Sequence, residues 1–120
     1  MRKKVIYIAG PIAGTDDYEE RFAEAEKELV KSDRVVFNPV RMLSGLDDRE
    51  CLPVCLQLVE LADIILLLPG WSRSLGALTE IFYAIRQGKH AFLYEGNRSA
   101  QELKWDEEAG AFYYGARAEL

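Results

Sequence analysis

A chain of 120 residues carrying a formal charge of −5 has enough length for one domain around a single core, so one domain over 1–120 is expected. Its Lys and Arg residues, 15 in all, are scattered rather than gathered into a stripe, which argues against a nucleic-acid binder and for a small-molecule ligand. No apolar run approaches the roughly 18 residues of a membrane span, and no leader is read at the N-terminus. Cys51 and Cys55, four apart, are read as structural packing thiols in a reducing cytoplasm. Neither a metal nor a cofactor is expected, because the sole histidine, His90, lies far from that pair.

Lys3 to Ala9 is apolar at nearly every position after its lysines, the pattern of a strand buried on both faces of a parallel sheet. Gly10, Pro11 and Gly14 end it. Thr15 or Asp16 can cap the helix that Tyr18, Phe22, Ala25 and Leu29 mark at helical spacing. Arg34 to Asn38 is a second strand, stopped by Asn38-Pro39, and Val40 to Asp48 reads as a loop. Asp47 or Asp48 can cap the next helix, whose start must lie a few residues before Pro53, and Leu52, Cys55, Leu56 and Val59 are expected to face the core.

Asp63 to Leu68 is the third strand, stopped by Pro69-Gly70; Asp63 is expected to cap or pair at its start. Leu75 to Gln87 is a helix closed by Gly88, and His90 to Tyr94 is the fourth strand. Strands alternating with helices imply right-handed βαβ units, hence an α/β, three-layer, doubly wound parallel sheet of flavodoxin or Rossmann-like type with core strand order 2-1-3-4. Residues 3–95 hold this core and 96–120 an extension. Within it Ala100 to Ala109 is compatible with a helix, and the aromatic run Phe112 to Tyr114 either folds onto its own core or docks on a neighbouring subunit.

In such a sheet ligands bind beyond the carboxyl ends of the strands, where strand order reverses, here between strands one and three. Two glycine-bearing loops arrive there, Gly10-Pro11-Ile12-Ala13-Gly14 and Pro69-Gly70-Trp71-Ser72-Arg73-Ser74-Leu75-Gly76-Ala77. Neither is a dinucleotide fingerprint or a P-loop, and ATP hydrolysis is disfavoured. Each loop read alone is equally compatible with a tight turn. The second opens a helix whose free N–H groups favour an anion. Glu80 lies in the second turn of that helix, with Ala77 and Ala84 on the same small-residue face. An acid on a close-packed face is costly unless it is paired or used, and helical side chains lean back towards the N-terminus, here the ligand side. The plain alternative is a helix-surface glutamate.

Tyr7-Ile8-Ala9-Gly10-Pro11-Ile12, Asp63-Ile64-Ile65 and Gly70-Trp71-Ser72-Arg73-Ser74-Leu75-Gly76-Ala77-Leu78-Thr79-Glu80 together resemble the nucleoside 2-deoxyribosyltransferase-like superfamily. The Pro-Gly-Trp-x-x-Ser-x-Gly-Ala-x-x-Glu stretch is more narrowly similar to the DUF4406 group, related to 2'-deoxynucleoside 5'-monophosphate N-hydrolases. The resemblance implies cleavage or transfer at an N-glycosidic bond, with Glu80 as the nucleophile on the anomeric carbon and Tyr7 orienting it. A carboxylate can form the required glycosyl ester, opened by water in a hydrolase or by a second base in a transferase. For Tyr7, core packing is the competing role.

The same resemblance places Gly10, Pro11, Ile12, Gly70, Trp71, Ser74 and Gly76 around a nucleoside or nucleotide. It gives Ser74 a 5'-phosphate contact, against the competing role of a helix N-cap. It implies a homodimer or higher homo-oligomer that completes a shallow cleft, with Phe112 to Tyr114 as the element offered to the neighbour. One position departs from it: an aspartate is implied where Cys55 stands, and a thiol is a poor proton donor by comparison. Asp48 is a candidate replacement. The alternative is a catalytically weak or inactive nucleotide-binding or sensor protein of the same fold. A glycohydrolase acting on NAD-type nucleotides is a third reading, opposed by the lack of a dinucleotide-sized second half.

Overall fold

The computed structural model describes residues 2–120, with the side chain of Asp48 outside the described set. Both roles expected of Asp48, as a helix cap and as a substitute acid, therefore lie outside the described residues. Six strands form one sheet: β1 (Lys4–Ala9), β2 (Arg34–Phe37), β3 (Ile64–Leu67), β4 (His90–Gly96), β5 (Ser99–Asp106) and β6 (Ala111–Glu119). Their order is β2-β1-β3-β4-β5-β6. The first four are parallel, as expected, with Tyr7 opposite Phe37 on one side and Ile65 on the other.

Alternate residues of β1 and β3 feed two cores. Ile6, Ile8, Leu66 and Leu68 pack with Phe22, Ala25 and Leu29 of helix α1 (Tyr18–Leu29). Val5, Tyr7, Ala9, Ile65 and Leu67 pack on the other face with Cys55 and Val59 of α3 (Asp48–Leu61) and with Ile81 and Ala84 of α4 (Leu75–Arg86). Burying aliphatic side chains on both faces, at about 1.5–3 kcal/mol each, fixes β1 and β3 at the centre of the sheet. The short helix α2 (Pro39–Met42) forms where a loop was expected, because Asn38 caps it by accepting from Arg41 N and Pro39 supplies its first turn.

Helix starts follow side-chain chemistry. Asp47 caps α3 in a reciprocal capping box with Glu50, and Ser74 caps α4 by accepting from Ala77 N at 3.2 Å. Asp17 precedes α1 without a side-chain cap, and the expected capper Thr15 instead bonds Ile12 O. Pro53 lies inside α3, in its second turn, so the helix begins close before it as required. Leu52 is exposed and Leu56 only half-buried; the buried stripe of α3 runs through Cys55 and Val59 and continues to Ala62. Asp63 takes the role expected of it, binding Arg2 and Val5 N at the end of the sheet away from the two loops.

Ala100 to Ala109, compatible with a helix in sequence, instead carries most of strand β5 and the start of the turn after it. Ala100 and Leu103 are three apart, a helical spacing, yet both are buried because a strand sends them to opposite faces, Ala100 into the α1 core and Leu103 into the α3–α4 core. A register shift between Gln101 and Leu103 further breaks the alternation that would have marked a strand. Asn97 and Arg98, both at positive φ, turn β4 into antiparallel β5, and an Asp106–Gly110 turn returns the chain as β6.

Candidate active site

Tyr7 comes from the middle of β1, Cys55 from the buried face of α3 and Glu80 from the second turn of α4. Glu80 is 8% exposed, and with Asn38 it is one of the buried polar side chains among the described residues. The Tyr7 hydroxyl donates to Glu80 Oε2. Burial pushes the Glu80 carboxyl up to about 7, while the Tyr7 hydrogen bond pulls it down. Burial, followed by the negative charge of Glu80, carries Tyr7 well above the ordinary phenol range. Cys55 lies beside Tyr7 and feels Glu80, and burial drives its thiol up to about 11, so it is neutral at physiological pH.

The two glycine loops lie side by side beyond the carboxyl ends of β1 and β3. Leu68 N donates to Ala9 O at 2.8 Å, and a Cβ on Gly10 would stand 2.9 Å from Leu68 Cβ, so only glycine fits there. Gly70 has φ +89, and a Cβ on it would press on Pro11 Cγ at 3.2 Å. Arg21 of α1 ties the second loop down by donating to Pro69 O at 2.7 Å. Pro11 is half-buried and Ile12 is 38% exposed at the rim. Gly76 sits exposed in the first turn of α4, beside Ser74. The Ser74 hydroxyl spends an oxygen lone pair on Ala77 N, which leaves its O–H free to donate; capping and ligand contact are therefore compatible.

Trp71 occupies a short 3-10 turn between Gly70 and Ser74 and packs edge-on against Phe112 of β6, with ring centroids 5.7 Å apart. Phe112 also meets Phe82 and Trp105, so part of the aromatic tail is used within its own chain. Neither this bracing of Trp71 nor the Arg21 anchor was expected from sequence. Both join segments distant along the chain, and a Trp or Arg in a loop carries no local sign of its partner.

A hollow of about 640 Å³ opens at the opposite end of the sheet, lined by Lys4, Asp63, Lys89, His90 and Glu102 among others. It is distant from Glu80, and Asp63 in it is engaged with Arg2, His90 with Glu102 and Lys89 with Glu60 O. The chemistry-bearing groups gather instead at the carboxyl ends of the strands: one buried carboxylate, a phenol bound to it, a neutral thiol and a helix start capped by a serine. Such a set can present a carboxylate nucleophile to an electrophilic carbon and an N–H-rich helix end to an anion.

No curated protein matches the chain. Among solved structures, a 2-desoxiribosyltransferase from Leishmania mexicana has the same fold at a TM-score of 0.61 and 21% identity, over 76% of this chain and 63% of that one. The chain thus spans less than two thirds of that protein's length. Residues 4–93, well over half of the chain, match the family described as Domain of unknown function (DUF4406), and the chain belongs to that family.

Proposed function

We propose that this chain cleaves or transfers at the N-glycosidic bond of a nucleoside 5'-monophosphate or nucleoside, with Glu80 as nucleophile and Tyr7 orienting it. The observation that carries this reading is the buried carboxylate of Glu80, hydrogen-bonded by Tyr7 and carried by the helix that the second glycine loop opens. An acid in that position costs stability unless it is used, and its upward shift to about 7 places it near the ionisation a nucleophile needs at neutral pH. The Tyr7 bond favours the ionised form and holds one oxygen, leaving the other to attack. The carboxylate forms a bond to the anomeric carbon as the carbon–nitrogen bond breaks, and water or a second base then opens the glycosyl ester. Gly10, Pro11, Ile12, Gly70, Trp71, Ser74 and Gly76 are proposed to surround the substrate, with the free Ser74 O–H turned to a 5'-phosphate.

A second reading, a binding or sensor protein that keeps the cleft without turnover, is favoured by one observation: the neutral thiol of Cys55 beside Tyr7. Incubation with a panel of nucleosides, their monophosphates and NAD, with free base measured by chromatography, separates the two. Release that Glu80→Gln removes supports the enzyme. Saturable binding without release from any compound supports the sensor.

A further inference from the structure

We infer that Phe112, on the C-terminal hairpin, is a positioning residue for the phosphate contact of Ser74: it fixes the Trp71 ring, and through the Trp71 backbone it fixes the turn that presents the Ser74 hydroxyl. The inference rests on the nucleotide reading above and adds to it a residue that acts without touching the substrate.

Trp71, Ser72 and Arg73 form one 3-10 turn whose backbone bonds link Leu68 to Ser74. Trp71 N donates to Leu68 O at 3.2 Å, Arg73 N to Gly70 O at 3.1 Å and Ser74 N to Trp71 O at 3.0 Å. The last bond makes the Ser74 amide depend on where the Trp71 carbonyl lies. Ser74 Oγ then accepts from Ala77 N, so the residue that starts α4 is set from both sides. A 3-10 turn has poor hydrogen-bond geometry and holds its shape weakly unaided. Gly70, at φ +89 just before it, adds backbone freedom.

The turn is anchored through its tryptophan. Trp71 meets Phe112 edge to face, with ring centroids 5.7 Å apart. Phe112 is itself held by Phe82 of α4 at 5.5 Å and by Trp105 of β5 at 5.0 Å, so it offers Trp71 a braced surface. Edge-to-face pairs are directional, and a braced ring therefore orients its neighbour as well as covering it. Trp71 lies within residues 4–93, the stretch that matches the family, and Phe112 lies beyond it. The hairpin thus supports, from outside the family segment, a turn that belongs to it.

The test is calorimetry on the full chain with deoxyadenosine, deoxyguanosine, deoxycytidine and thymidine, each beside its 5'-monophosphate. Phe112→Ala is expected to weaken the monophosphate roughly tenfold and the nucleoside less than about twofold. Phe112→Tyr, which keeps the ring, is expected to retain the wild-type affinity. Phe82→Leu loosens the same cluster but leaves the ring that Trp71 meets, and is expected to keep the wild-type ratio. With Trp105→Phe leaving Trp71 as the one tryptophan, its emission is expected to move to longer wavelength when Phe112→Ala is added and to stay in place with Phe112→Tyr. Should Phe112→Ala fail to fold, Phe112→Leu fills the space without a ring and is expected to lower the monophosphate-to-nucleoside ratio about threefold. Equal weakening of both ligands, an unchanged monophosphate affinity, or a loss in Phe82→Leu as large as in Phe112→Ala overturns the positioning role and leaves the nucleotide reading standing. A wild type that binds no monophosphate more tightly than its nucleoside overturns the phosphate reading, and the inference with it.

Discussion

Tyr7, on a central strand, donates its hydroxyl to a carboxylate oxygen of Glu80, 73 residues further along the chain. Burial and this bond act on Glu80 in opposite directions, burial the stronger, and the outcome is titration at about 7. Tyr7→Phe leaves burial unopposed. The Glu80 carboxyl is then expected to titrate above its wild-type midpoint, and any acid limb in turnover to move up with it. NMR of the Glu80 carboxyl carbon reads the shift without an activity assay, and an unmoved midpoint contradicts it. The lost bond should also cost about 1–3 kcal/mol of stability.

The same carboxylate sets a pH dependence of folding. Glu80 holds its proton to about 7 in the folded chain against an ordinary value of 4.5, so the folded state binds the proton more tightly. Its contribution to stability is full below about 4.5 and is lost as pH rises through 7. By pH 8 the loss amounts to roughly 3 kcal/mol. Glu80→Gln, which still accepts from Tyr7, is expected to be the more stable protein at pH 8 and to lose that advantage at pH 4.5. Urea unfolding of both proteins across this range checks the sign; parallel stability curves contradict it.

Ser74 serves α4 through its oxygen and is proposed to serve a phosphate through its proton. Ser74→Ala should cost about 1 kcal/mol of stability for the lost cap. It should also weaken a nucleoside monophosphate roughly ten- to a hundredfold while barely changing the nucleoside. Calorimetry with both ligands separates the roles, since equal weakening of the two means that the hydroxyl only caps.

β6 ends the sheet, leaving one side of its backbone unpaired by β5, and Tyr113 and Tyr114 are 49% and 60% exposed. Self-association through this edge is the expected form of the oligomer. Light scattering should give twice the monomer mass at micromolar concentration, falling towards monomer in Tyr114→Lys. A monomeric wild type contradicts it.

The parallel core was legible because strands buried on both faces are almost wholly aliphatic, as Val5 to Ala9 and Ile64 to Leu68 are, and because glycines and prolines punctuate them. Glu80 was legible for a related reason, as an acid on a face otherwise built of Ala77, Ile81 and Ala84. β5 was not, because Ala100 and Leu103 imitate a helical stripe while serving opposite cores. Leu52 was misjudged because α3 turns its buried stripe through Cys55 and Val59, and an apolar residue one position off that stripe is exposed. The Trp71–Phe112 contact arises only once the hairpin folds back, a tertiary fact with no local pattern.

The most direct measurement of the central claim is peptide mapping by mass spectrometry of a reaction quenched with a 2-fluoro-sugar substrate, whose fluorine slows opening of the glycosyl ester. The peptide containing Glu80 is expected to carry the mass of the sugar, with the modification on Glu80 and absent from Glu80→Gln. Sugar on a different residue, or base release undiminished in Glu80→Gln, contradicts Glu80 as the nucleophile.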